Sequence, residues 1–420
     1  MKQSLIKLCL VFAAVVLLAV PQVSQAKELK GDLEIFSWWA GDEGPALEAL
    51  IDIYKAQNPG VNVINAAVTG GSGVNARAVL KTRMLGGEPP DSFQVHAGQE
   101  LIGTWVKSDR MEDLTPIFKE EGWMDVFPAG LVKLIGTDKG IWSVPVNVHR
   151  SNVLWCIPAN LKKWGVEAPK TWEDFLKIAP KLQKEGIVPL ALGQNWTASH
   201  LWESVALSSL GAEKWADLWS GKLKFNSPEM IKVWELFGKI LPYTNKDAAS
   251  LSWQQATDMI IDGRAAFNIM GDWAAGYMVT TKKLAPGKDF GWMPSPGTSG
   301  EFMFLADSFG LPKGVANRDN AVAWLKLLGS KKGSDTFNPI KGSISARKDT
   351  DLSKYNAYLQ SAAKDFAKDA VAASLIHGAA ANETFVGSFA QVMEMFLKSK
   401  NAKATAMACQ QLADKAQIGK

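Results

Sequence analysis

Glu34-Ile35-Phe36-Ser37-Trp38-Trp39-Ala40-Gly41-Asp42-Glu43-Gly44 sets a short apolar run against two adjacent tryptophans, a glycine turn and a carboxylate. Runs of about four to eight residues rich in Ile, Phe and Trp, broken by Gly and Asp, read as a buried parallel strand and its exit loop. Successive strand residues face opposite sides. Two neighbouring tryptophans therefore cannot share one core unless the strand has ended, and Gly41-Asp42 signals that end. At least one indole then faces the opening. A flat ring beside an acceptor-only carboxylate suits a hexose, which offers C–H groups on one face and hydroxyl donors round its edge. Two core tryptophans and a solvated Glu43 are the alternative.

Downstream, Leu47, Leu50, Ile51 and Tyr54 recur at the spacing of a buried helical stripe, stopped by Asn58-Pro59-Gly60. A strand over 61–68, a glycine loop at Gly70-Gly71-Ser72-Gly73, a helix over 76–85 and a strand at Ser92-Phe93-Gln94-Val95-His96 follow. Alternating strands and helices predict an open parallel α/β sheet. In such sheets ligands bind beyond the carboxyl ends of the strands. Trp38, Trp39 and Glu43 sit at one such end and Gln94 and His96 at another, with Gln94 and His96 on one face and Val95 on the other.

At the N-terminus, Lys2 and Lys7 precede an apolar run over 8–20, then Pro21 and the small residues Ser24 and Ala26. This reads as a secretory leader cut after Ala26. Cys9 lies within the apolar run rather than at a cleavage site, which speaks against a lipid anchor. Loss of the leader lowers the formal charge from +4 to +2. So weak a bias, without basic blocks, argues against nucleic acid. Of three cysteines, Cys156 and Cys409 remain, and an oxidising compartment lets them pair. A Cys156–Cys409 disulfide tying the C-terminal helix to 154–158 is the expectation; two separate buried thiols are the alternative. The compositional anomaly is the 17 tryptophans; for most of those on the later helices, Trp164, Trp172, Trp202, Trp215, Trp219 and Trp234, core or groove packing is the reading.

A hairpin and an extended crossing over 139–149 mark a first domain boundary, followed by a mostly helical region that holds most of the remaining tryptophans. Thr171-Trp172-Glu173-Asp174 reads as a helix N-cap with acids in its first turn. The stretch 265–276 runs from a strand through Gly271-Asp272-Trp273 into a helix, repeating the chemistry of the opening motif, with Asp272 read chiefly as an N-cap. Phe302-Met303-Phe304-Leu305-Ala306-Asp307 buries one acid in an apolar run, so Asp307 has a partner or lines a polar cavity. Lys341 and His377 are likewise single polar groups in apolar or glycine-rich settings. The four histidines are scattered along the chain and do not suggest a metal site.

The leader, the Trp-Trp-x-x-x-Glu motif, Gln94-x-His96, the Gly-Asp-Trp turn, the apolar run with Asp307 and Lys341-Gly342-Ser343 together resemble the periplasmic solute-binding proteins of ABC sugar importers, glucose/mannose-binding type. The resemblance spans essentially the whole mature chain. It implies an α/β fold of two lobes, each an open sheet flanked by helices, with the ligand in the cleft between them. Residues 27–146 and 302–345 would form one lobe and 147–301 and 346–420 the other, with crossings near 145–149, 302 and 345. By the same resemblance Trp38 and Trp39 flank the sugar and Trp273 stacks from the other lobe. Glu43, Gln94, His96, Asp307, Lys341 and His377 would bond its hydroxyls; some members carry Lys in place of His96. A monomeric periplasmic receptor for a monosaccharide, delivering it to permease subunits in the inner membrane without cofactor or catalysis, is what the resemblance implies.

Two other classes compete. A secreted glycosidase would use Glu43 and Asp307 as its carboxylate pair, but the chain carries no G-x-S-x-G elbow, HExxH or phosphate loop to support an enzyme. A polysaccharide-binding surface protein would display its tryptophans on an open groove, whereas single polar groups in apolar surroundings imply an enclosed site for a small polar ligand. A disaccharide or oligosaccharide receptor stays open as the alternative substrate class.

Overall fold

The computed structural model describes residues 28–419, so the expected leader lies outside the described residues. β1 (Gly31–Ser37) passes through the turn Gly41–Glu43 into the helix Gly44–Gln57, followed by β2 (Val61–Ala67), the helix Val74–Gly86 and β3 (Ser92–His96). A small hairpin, β4 (Gly136–Thr137) and β5 (Gly140–Ile141), leads to β6 (Ser143–Pro145), β7 (Asn147–Arg150) and β8 (Val153–Cys156). Then come β9 (Val188–Ala191), the helix Asn195–Trp219, β10 (Ala265–Ile269), the helix Trp273–Thr280 and β11 (Gly291–Pro294). The chain continues through β12 (Glu301–Leu305), β13 (Asp307–Gly310), the helix Lys331–Lys341, β14 (Ile344–Ser345), β15 (Ala370–Ala373) and the helices Glu383–Ser399 and Ala402–Lys415.

The strands form three principal sheets, which give the two-lobe periplasmic-binding-protein fold. The first lobe holds five strands in the order β2-β1-β3-β13-β6, and the second holds four in the order β11-β8-β10-β9. Between them β14, β7, β12 and β15 make a third sheet. The first sheet is mixed rather than parallel. β1 pairs parallel with β2 and β3, but β13 arrives far downstream and runs antiparallel to β3 and β6. That insertion sets Asp307 opposite His96 and Phe309 opposite Gln94.

The chain changes sheet twice at single residues, Val146 between β6 and β7 and Ala306 between β12 and β13. The two switches are bonded together: Val146 N–H donates to the Asp307 carbonyl at 2.9 Å, and Asp307 N–H donates to Asn147 Oδ1 at 2.8 Å. Segments distant in sequence thus reach the cleft as one unit.

The elements form where their periodicity puts them. Leu47, Leu50, Ile51 and Tyr54 are buried, and Thr171 accepts the Asp174 N–H at 3.1 Å as the expected N-cap. In the second lobe Trp202, Trp215 and Trp234 are wholly buried, Trp202 against Trp215 and Phe389 and Trp234 against Phe396. At about 25 cal/mol per Å², an indole burying roughly 200 Å² contributes on the order of 5 kcal/mol to such a core. Most of the tryptophan excess is therefore packing.

The expected disulfide does not form. Cys156 and Cys409 are both free and buried. Cys156 stands on a strand between two others, whereas Cys409 lies on a helix that packs on its neighbouring helices. Burial pushes the Cys156 thiol up to about 11 and raises that of Cys409 as well, so both act as small apolar side chains.

Candidate functional site

The carboxyl ends of β1 and β3 deliver the first wall. Trp38 N–H donates to Gln94 Oε1 at 3.2 Å, and Gln94 Nε2 donates to Asp307 Oδ1 at 2.8 Å. Asn147 Nδ2 donates to Asp307 Oδ2 at 2.8 Å, so two amides clamp one carboxylate. His149 Nε2 lies 3.5 Å and His96 Nε2 3.7 Å from the same carboxylate. Burial alone would raise the Asp307 carboxyl, but His96, His149, Lys341 and the Asn147 amide hold it below the ordinary carboxylate range. It is an acceptor site for a hydroxyl donor and a poor general acid.

Around it, Lys341 Nζ bonds Glu43 Oε1 at 2.5 Å and sits 5.5 Å from the Trp39 ring centre. Trp39 itself packs on Phe309 and Phe337 and belongs mainly to the core. Trp38 faces His96, ring centres 5.0 Å apart, with the Arg77 guanidinium on the indole as well. His96 Nδ1 is 2.7 Å from Glu100 Oε2. Burial works against the Glu100 carboxylate, yet His96 and Arg77 hold it ionised.

From the second lobe come Trp273 and His377, ring centres 5.0 Å apart. Asp272 is no side-chain N-cap: its carboxylate accepts the Arg150 N–H at 3.0 Å and pairs with His149 Nδ1. The helix behind it meets the other lobe backbone to backbone. A Cβ on Gly276 would lie 2.3 Å from the Lys341 carbonyl oxygen, and one on Gly342, which has φ +80°, 2.3 Å from Gly276 N. Only glycine at both positions permits this approach.

Trp38, Trp39, Glu43, His96, Trp273, Asp307, Lys341 and His377 all line one cavity with His149, Trp253 and Leu305, and Gln94 stands behind Asp307. The structure thus gathers every site residue expected from the sequence. The cavity measures about 20 Å³, room for about one water, so a pyranose enters only if the walls part. A larger cavity of about 240 Å³ adjoins it, lined by Arg77, Lys81, Glu100, Trp196 and Glu383 and by Ile376 and Gly378, which flank His377.

The histidines scattered in sequence are gathered in the fold. His377 has His96 and His200 at ring-centre distances of 5.8 and 5.5 Å, and His149 and His200 both touch Trp273. Ligand atoms of His200, Glu203 and His377 lie within 4.8 Å of one another, a triad that could hold a metal ion. The sequence reading missed Asn147, His149, His200 and Glu203. Asn147 and His149 alternate about Val148 as Gln94 and His96 do about Val95, a signal that was available. Nothing local marked His200 or Glu203.

A two-lobe α/β chain whose side chains close from both lobes on one small cavity has the architecture of a hinged solute receptor. The chain belongs to the bacterial extracellular solute-binding protein family, whose profile matches residues 39–335. It is 34% identical over 382 residues to an uncharacterized ABC transporter extracellular-binding protein of Pyrococcus horikoshii, covering 89% of this chain and 86% of that one. It is 35% identical over 335 residues to a probable sugar-binding periplasmic protein of Mesorhizobium japonicum, covering 78% of each. Its fold superposes with TM-score 0.80 and 18% identity on the bacterial solute receptor AcbH, described as preferring β-D-galactopyranose, over 92% of this chain and 99% of that one.

Proposed function

We propose that the chain is the exported, monomeric receptor of an ABC sugar importer, which takes one hexose of the glucose, mannose or galactose class between its lobes and delivers it to the permease. It performs no chemistry on the sugar. One observation carries this reading: indole rings and hydrogen-bonding groups from both lobes surround a single cavity, with the Asp307 carboxylate as fixed acceptor on one side and Trp273 and His377 on the other. Rings recognise the apolar face of a pyranose, and fixed acceptors and donors its hydroxyls. Binding stabilises the closed form because the sugar bridges both walls. The lobes divide as 27–146 with 302–345 and 147–301 with 346–420, and the sheet of β7, β12, β14 and β15 acts as hinge. The sugar-related names of the Mesorhizobium relative and AcbH agree with the reading.

A second reading, a disaccharide, is favoured by the adjoining cavity of about 240 Å³, where the buried Glu383 Oε1 atom has no hydrogen-bond partner among the described residues and Trp196 offers a ring face. Isothermal titration against glucose, mannose, galactose and maltose, with tryptophan fluorescence alongside, separates the two. One-to-one binding of a hexose supports the first reading and binding of maltose alone the second. Heat from none of them removes both.

A further inference from the structure

His377 is held at the cavity by one face of the long helix Asn195–Trp219. Glu203 accepts the N–H groups of Leu375 and Ile376 at 2.9 and 3.2 Å and the Ser374 hydroxyl at 2.9 Å, which fixes the backbone of the loop. One turn earlier, His200 Nδ1 lies 3.3 Å from His377 Nε2, and His200 Nε2 lies 3.0 Å from the Ser151 carbonyl oxygen. All three side chains are buried.

Donor chemistry assigns the protons. A carbonyl oxygen only accepts, so His200 Nε2 carries hydrogen. A neutral His200 then offers its Nδ1 lone pair, and the hydrogen between the rings belongs to His377 Nε2. In neutral His377 the remaining Nδ1 is therefore a bare acceptor, and no described protein group bonds it. Burial supports neutrality, holding His200 down at about 4 and His377 well below the ordinary histidine value.

We propose that His200 and Glu203 are positioning residues that lock His377 in the Nε2–H tautomer and aim its Nδ1 lone pair at the ligand, so that the atom meeting His377 must be a hydroxyl donor. This rests on the sugar-receptor reading for its ligand, but the tautomer does not depend on any ligand. The same atoms could instead hold a metal ion. The hydrogen-bonded arrangement is favoured because Glu203 is already engaged by the Ser151 and Ser374 hydroxyls and two backbone N–H groups.

With only four histidines in the chain, long-range ¹H–¹⁵N correlation on histidine-labelled protein at pH 7 reads each tautomer directly. The expected spectrum shows His200 and His377 both as Nε2–H, each with a pyridine-like Nδ1. In His200→Phe, the His377 signals shift to a tautomer mixture and hexose affinity falls about tenfold; a deoxyfluoro sugar altered at the hydroxyl over His377 loses about as much against the wild type. An Nδ1–H tautomer at His377 in the wild type overturns the proposal, as does a His200→Phe variant that keeps both tautomer and affinity. Stoichiometric Zn²⁺ binding that moves both imidazoles replaces it with a metal site. If His200→Phe does not fold, the wild-type spectrum alone decides, and if no sugar binds, the tautomer test still stands while the receptor reading falls.

Discussion

The two walls of the cleft solve the same problem differently. On the first, Asp307, Glu100 and Glu43 stay buried or half-buried beside imidazoles and cations: His96, His149 and Lys341 around Asp307, His96 and Arg77 around Glu100, Lys341 on Glu43. On the second, His200 and His377 are so enclosed that they are held neutral, with an indole between them and His149. The charged wall fixes acceptors by electrostatics, and the neutral wall fixes a ring and a lone pair by packing. A ligand with hydroxyls on its rim and C–H groups on a face uses both.

Substitutions should separate the walls by size of effect. Asp307→Asn removes the charge that Gln94, Asn147 and two imidazoles are built around; hexose affinity should fall by about 100-fold, roughly 3 kcal/mol, with an unchanged circular dichroism spectrum. Trp273→Ala should cost about 30-fold, near 2 kcal/mol, through lost stacking, and should abolish most of the sugar-induced fluorescence change. A larger loss at Trp273 than at Asp307 would reverse the ranking of the walls. Gly276→Ala tests their approach to one another. The added Cβ meets the Lys341 carbonyl, so affinity should fall about tenfold, and small-angle scattering should show a larger radius of gyration at saturating sugar. Unchanged affinity would mean that this backbone contact plays no part in closure.

The smallest effect is a pH slope in stability. Burial pushes the Glu203 carboxyl up to about 7, so between pH 7 and 4.5 the folded chain keeps a proton that the unfolded chain has released, which favours folding as pH falls. Burial holds His200 at about 4, so between pH 6.5 and 4 the unfolded chain takes a proton that the folded one refuses, which disfavours folding as pH falls. The two nearly cancel. In Glu203→Gln only the second remains, and urea titrations should show the variant losing roughly 1 kcal/mol relative to wild type for each pH unit between 6.5 and 4.5. Parallel curves for the two proteins would place the compensation elsewhere.

The charged wall was the legible one. Trp38, Glu43, Gln94 and His96 sit at strand ends, where period-two alternation and a glycine turn fix which side chains face out, and Asp307 stood out as a lone acid in an apolar run. The neutral wall left less to read. His200 and Glu203 lie in a helix where small polar residues mix with apolar and aromatic ones and no period marks them out, and their meaning comes from segments distant in sequence: Ser151 and the loop 374–377, the latter more than 170 residues away. Asp272 was misassigned for the same reason: its partner His149 comes from another strand. The absent disulfide shows the limit of compartment arguments, since an oxidising environment permits a bond only where the fold brings two thiols together.

The crystal structure of the chain with its tightest hexose tests the central claim most directly. A pyranose with one hydroxyl on the Asp307 carboxylate, another donating to His377 Nδ1 and a ring face on Trp273 is the predicted result. A sugar seated only in the neighbouring cavity between Arg77 and Glu383, or on one lobe with the walls still sealed by the Gly276–Gly342 backbone contact, would contradict it.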